Sequence, residues 1–90
     1  MFGALSLLLL SFSVQIQNLP PIPQVNFDNF GPGIRDHVKT AYQAAIRNPK
    51  DAPATGRLGM VLHTYEDHEN AAICYRRARI LAPGEFRWTY

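Results

Sequence analysis

Three groups of side chains carry whatever reactive chemistry this sequence offers. In the first, His63 and Asp67 stand four residues apart with His68 beside them, a spacing that sets two metal ligands on one helical face. A metal centre also needs a third ligand and partners that orient the imidazoles, and neither is evident. The helix that carries His63 should end near Tyr65, so the trio reads as a solvated turn. The second group is Cys74, the only cysteine, which excludes an internal disulfide framework and a cysteine-based zinc ribbon. It falls on the apolar stripe of its helix, where a thiol is an inert small hydrophobe. A nucleophile would need a histidine and a carboxylate on that face, and the helix offers none. No phosphate-binding glycine loop, paired-carboxylate site or triad motif is present, so the expectation is a non-enzymatic chain with no catalytic residue, metal or cofactor. The third group is Arg76, Arg77 and Arg79. Cations in the last turns of a helix complement its dipole and solvate its outer face. The alternative is a ridge that contacts nucleic acid, but that function wants a broader basic face with aromatics available for stacking, and Tyr75 is expected to point inward.

Helices must position these groups. The chain has 90 residues, 47% of them hydrophobic, with a formal net charge of +2, which suits one small domain or part of an array and is too weakly basic to imply a polyanionic partner. A first helix is predicted from Pro32, a good first-turn residue, to about Arg47, with Ile34, Val38, Ala41, Tyr42 and Ala45 on one stripe. Asn48-Pro49 ends it. Asp51 can cap a second helix with Pro53 in its first turn, which turns Leu58, Val61, Leu62 and Tyr65 inward. After the turn Glu66-Asp67-His68, a third helix is predicted from Glu69 to about Leu81, with Ala71, Cys74, Tyr75, Ala78 and Ala82 on one face and Pro83-Gly84 as its stop. No segment alternates with period two, so the chain is expected to be all-α.

Two stretches lie ahead of the helices, and the chain is uncharged up to Asp28, since every Asp, Glu, Lys and Arg falls at or after that residue. Phe2 to Leu10 reads FGALSLLLL and leads into Ser11-Phe12-Ser13, the layout of a signal peptide over residues 1–13 with cleavage after Ser13. It lacks a basic start, and the alternatives are an uncleaved anchor or a buried helix. Phe2 to Ile16 as a helix spans roughly 22 Å against a ~30 Å hydrocarbon core, so no membrane span is expected once the signal is removed, and the product is expected to be secreted or held in the cell envelope. Residues 14–31 form a proline-rich arm, where Pro20, Pro21 and Pro23 forbid a helix and the interspersed Leu19, Ile22, Val25, Phe27 and Phe30 suggest that it lies on a surface.

Across the second and third helices the series Leu58-Gly59, Leu62, Ala71, Tyr75, Ala78 and Pro83 resembles the tetratricopeptide repeat, whose period is 34 residues. Gly59 and Ala71 are small enough for close approach of antiparallel helices, and Leu62, Tyr75 and Ala78 fill the seam. Thr55 occupies the family's usual tryptophan place, and Leu62 that of its tyrosine. Pro49 and Pro83, Ala44 and Ala78, and Ile46 and Ile80 are each 34 apart, so the first helix reads as a degenerate half-repeat that caps the unit. The resemblance implies an α-solenoid domain over residues 32–85, with residues 86–90 opening a further, truncated repeat. About three stacked units are needed for a continuous core, so the expectation is a piece of a longer array, or a chain whose Phe86–Tyr90 end self-associates.

The resemblance also implies a protein-interaction scaffold that binds a peptide or protein partner on a concave face, here Pro53, Gly56, Met60, His63 and Thr64. Gly56 and Met60 stand where carboxylate-clamping members use Lys and Asn, which favours an apolar peptide. The rival is a nucleic-acid-binding helical domain using Arg76, Arg77 and Arg79. A further docking ridge is expected on the outer face of the third helix, where a 100° step per residue places Ile73 and Ile80 opposite the inward stripe, flanked by Arg76 and Arg77. The arm is the candidate cover for that ridge.

Overall fold

The computed structural model describes residues 19–84. The signal-peptide reading of residues 1–13 and the truncated repeat at 86–90, with its self-association, lie outside the described residues. Within them are a short 3-10 turn, Phe27–Asn29, and three helices: α1 (Pro32–Arg47), α2 (Ala52–Thr64) and α3 (His68–Leu81). The described residues form an all-α domain of three packed helices and contain no strand.

Local chemistry accounts for the helix ends. Pro32 opens α1 behind Gly31. Asn48 closes it, donating from both its backbone N–H and its side-chain Nδ2 to the Ala44 carbonyl, at 3.1 and 2.9 Å. Asp51 sits at the N-cap of α2 without a side-chain capping bond. Pro53 at the second helical position removes one of the two N–H groups that such a cap could serve. The exit from α2 is a Schellman turn, in which the Glu66 N–H donates to the His63 carbonyl at 3.1 Å and the Asp67 N–H to that of Leu62 at 2.9 Å. Its left-handed position, φ 70°, is held by Glu66 and not by glycine. Asp67 then caps α3 through Asn70, so the helix begins at His68, one residue before the sequence expectation.

Packing runs in sequence order: α1 lies against α2 and α2 against α3, while α1 and α3 make little direct contact. The α2–α3 hairpin is the closest pair. Leu58 and Leu62 are fully buried, as are Val38 and Ala45 of α1 and Cys74 and Ala78 of α3. Each of those leucines contributes about 1.5–3 kcal/mol. Ile34 departs from the predicted stripe and is exposed, because it lies in the first turn of α1, ahead of the stretch that meets α2.

The arm from Leu19 to Phe30 is part of this core. Pro20, Pro23, Val25 and Phe30 are buried, and Ile22 and Phe27 pack against the helices. It runs antiparallel to α1, since Pro20 lies near the α1–α2 turn, Phe27 beside Tyr42, and Phe30 beside Tyr65 at the far end. Two arginines hold it. Arg77 donates from Nη1 to the Pro20 carbonyl at 2.7 Å and from Nη2 to the Pro49 carbonyl at 2.5 Å. Arg35 donates from Nε to the Phe27 carbonyl at 3.2 Å and from Nη2 to the Phe30 carbonyl at 3.3 Å.

This arrangement corrects the expected outer ridge. Arg77 is only 7% exposed and faces the arm and the α1–α2 turn. Ile73 and Ile80 stay 37% and 42% exposed, so the described arm does not cover them. The physical reason is the position of Arg77 on the flank of the inward stripe, next to Cys74. Carbonyls in a proline-rich segment serve no helix or sheet ladder and need a donor, and a guanidinium can supply several at once.

Candidate functional site

One face of α2 carries Pro53, Gly56, Met60, His63 and Thr64, the expected concave set, and the structure divides it. Gly56 is buried and Pro53 half-buried, whereas Met60, His63 and Thr64 are exposed. The accessible half is therefore the C-terminal end of α2. There Met60, His63, Thr64 and Tyr75 line an open groove of about 270 Å³. A second hollow of about 180 Å³ continues it across α3 through His63, His68, Ala71, Ala72 and Tyr75.

The groove walls are set by the hairpin packing. Gly59 has no side chain, so Tyr75 comes against the α2 backbone; a Cβ at Gly59 would lie 3.0 Å from Tyr75 Cε1. That seats the Tyr75 ring in the seam with only its edge and hydroxyl at the groove, 3.5 Å from His63 Nδ1. The His63 and His68 rings meet edge to face with centroids 5.4 Å apart. The hydroxyl of Thr64 donates to the Met60 carbonyl at 2.8 Å, so its proton is committed within the helix. Met60, 52% exposed, is the largest flexible apolar group at the site. A thioether in one groove with the His63 imidazole and a tyrosine edge suits an apolar or aromatic side chain, which Met accommodates by changing rotamer.

The other chemical groups of the sequence are engaged elsewhere. Asp67 accepts a 2.9 Å bond from Asn70 Nδ2 at the α3 cap and does not turn toward the two histidines. Among the described residues no group of three His, Cys, Asp or Glu side chains is placed to hold a metal ion. Burial pushes the Cys74 thiol up to about 12, with the negative charge of Asp67 adding to the rise and Arg77 opposing it. The thiol is thus protonated and enclosed, a packing group. Arg77 is itself held below the usual guanidinium range by burial, yet stays charged near neutrality. Arg76 remains exposed and Arg79 half-buried.

Sequence reasoning missed the buried pair of Arg77 and the arm. The available signal was the place of Arg77, three residues after Cys74 and one before Ala78, at the margin of the apolar stripe. It also missed a second aromatic cluster, in which Phe30 packs edge to face on Tyr65, and His37 Nδ1 lies 3.1 Å from the Tyr65 hydroxyl. No protein-family model matches this chain, no curated protein matches it, and no solved structure matches it.

Proposed function

We propose that this chain is a protein-interaction module of tetratricopeptide type that takes an apolar peptide or protein segment at the C-terminal half of its α2 face. The observation that carries the reading is the close approach at Gly59, where the small residue and the partner Tyr75 fall at the spacing of the repeat: Leu58, Gly59, Leu62, Ala71, Tyr75, Ala78. That contact supports reading the α2–α3 hairpin as a repeat-type unit, and Met60, His63 and Thr64 stand exposed beside it. Thr55, fully buried in the place of the repeat's tryptophan with its hydroxyl lacking a hydrogen-bond partner among the described residues, is the main departure. The reading assigns no catalytic step to the chain. Export is part of the proposal and rests on the apolar run Phe2 to Leu10 and the small residues after it.

A titration of the isotope-labelled chain with short apolar peptides containing one aromatic residue tests the site. Amide shifts should centre on Met60, His63, Thr64 and Tyr75, and Met60→Glu should weaken binding about tenfold. Affinity should change little between about 50 and about 200 mM salt, since no phosphate contact is involved. The nucleic-acid alternative retains Arg76 and Arg79 but loses Arg77 to the interior. Binding of a single-stranded oligonucleotide that falls steeply over the same salt range, with no peptide shifts at Met60, would replace the peptide reading.

A further inference from the structure

The seat of the arm is built to recognise backbone. The helices' arginines reach it through the carbonyls of Pro20, Phe27 and Phe30, not through any arm side chain. Between these bonds, Phe27 lies edge to face on Tyr42 at 5.4 Å with Lys39 Nζ 5.6 Å from its ring centre, and Phe30 lies on Tyr65. Guanidinium donors spaced along an aromatic-lined trough are what an extended, proline-stiffened segment requires. In its proline stretch the Pro20 carbonyl has no ladder partner, while the Phe27 carbonyl already accepts the Phe30 N–H within the 3-10 turn, and a segment stiffened in this way loses little conformational entropy when it docks. The arm joins α1 at Gly31, an exposed residue whose carbonyl is held by the Arg35 N–H at 2.7 Å as the helix N-cap, so a change of course that spares the helix falls on the arm side of that carbonyl.

We propose that this trough is a binding site for an extended proline-rich segment, filled in cis by Leu19 to Phe30, and that the same segment of a second copy can fill it in trans. It is separate from the α2 face and independent of what that face binds. Vacating it would take the Pro20 carbonyl from the Arg77 guanidinium and return the buried Val25 and Phe30 to water, so the site favours replacement of the arm over simple loss. Exchange of an identical element through a short hinge is the least demanding route to such a pairing.

The probe is a fluorescent peptide with the sequence of Leu19 to Phe30, titrated against the full chain and against the full chain carrying Phe27→Ala and Phe30→Ala, which loosens the tethered arm and leaves the trough intact. In the unmodified chain the arm competes at an effective concentration on the order of millimolar, so the peptide should bind the loosened variant at least about tenfold more tightly. Adding Arg77→Met should abolish that gain, and a scrambled peptide should not show it. Equal binding by both chains, or equal binding of the scrambled peptide, overturns the proposal. Circular dichroism checks the fold of each variant. Should the loosened variant not fold, amide shifts at Tyr42 and Tyr65 in the unmodified chain at about millimolar peptide support the site, and their absence overturns it.

Discussion

At Gly59 a Cβ would stand 3.1 Å from Cys74 Cβ as well as against the Tyr75 ring. A ring can tilt, but a Cβ moves only with its backbone, so a methyl group there must push the two helices apart. Alanine gains about 1 kcal/mol in helix propensity over glycine, while overpacking a close contact costs about 1–3 kcal/mol. Gly59→Ala is therefore expected to destabilise by about 1 kcal/mol, whereas Gly33→Ala, in the first turn of α1 with nothing within 4 Å, should stabilise by about 0.5–1 kcal/mol. Denaturant melts of the two variants read the opposite signs directly. Cys74 gives a second residue-scale expectation. Its thiol titrates at about 12 in the folded chain against an ordinary 9.0, so below pH 9 both states hold the proton and the thiol adds no pH dependence. Between those two values the unfolded chain loses the proton first. Stability then falls with pH by up to about 1.4 kcal/mol per unit from this group. Cys74→Ala should flatten that part of the profile relative to the unmodified chain, and parallel profiles would show that the thiol is not shielded.

Among the elements, the α2–α3 turn is the one whose residue choice departs from its geometry. A Schellman turn places its C′ residue in the left-handed region, where glycine is unstrained and a side chain costs about 1–2 kcal/mol. Glu66 holds that position at φ 70° and is exposed, with no hydrogen bond from its side chain among those described. Glu66→Gly should accordingly raise stability, by about 0.5–1 kcal/mol once the greater freedom of glycine in the unfolded chain is set against the relieved strain. The change appears as a higher denaturant midpoint with an unchanged slope. A lower midpoint would mean that the Glu66 side chain contributes more to the turn than its backbone conformation costs.

On the scale of the whole molecule, the arm and Arg77 tie together parts of the chain 57 and 28 residues apart. α1 and α3 scarcely touch, and this clasp bonds α3 to the arm and to the α1–α2 turn. A lysine has the charge but not the fork, and can reach one of the two carbonyls at a time. Arg77→Lys should cost about 1.5–3 kcal/mol, the value of one hydrogen bond to a charged donor, and should expose the bonds around Leu19 to Val25 to a nonspecific protease under conditions where the helices stay intact. Unchanged cleavage with lowered stability would place the role of Arg77 at Pro49 alone.

Amino-acid order by itself determined the three helices, because their starts and stops rest on local chemistry: Pro32 after Gly31, Asn48-Pro49, Pro53 in the first turn of α2, and Pro83-Gly84. It also determined most of the core, since Val38, Leu58, Leu62, Cys74 and Ala78 recur at the helical period and are the residues found buried. Of the set that the resemblance implied, Met60, His63 and Thr64 stand exposed and Gly56 is buried. Tertiary structure alone decided the fate of Arg77. Its neighbours in sequence are Arg76 and Ala78, and nothing local distinguishes a solvated cation from one buried against carbonyls supplied by Pro20 and Pro49. Tertiary structure likewise decided that the arm lies along α1 and leaves Ile73 and Ile80 exposed, because a proline-rich segment has no periodic face of its own and takes its course from the donors and rings it meets.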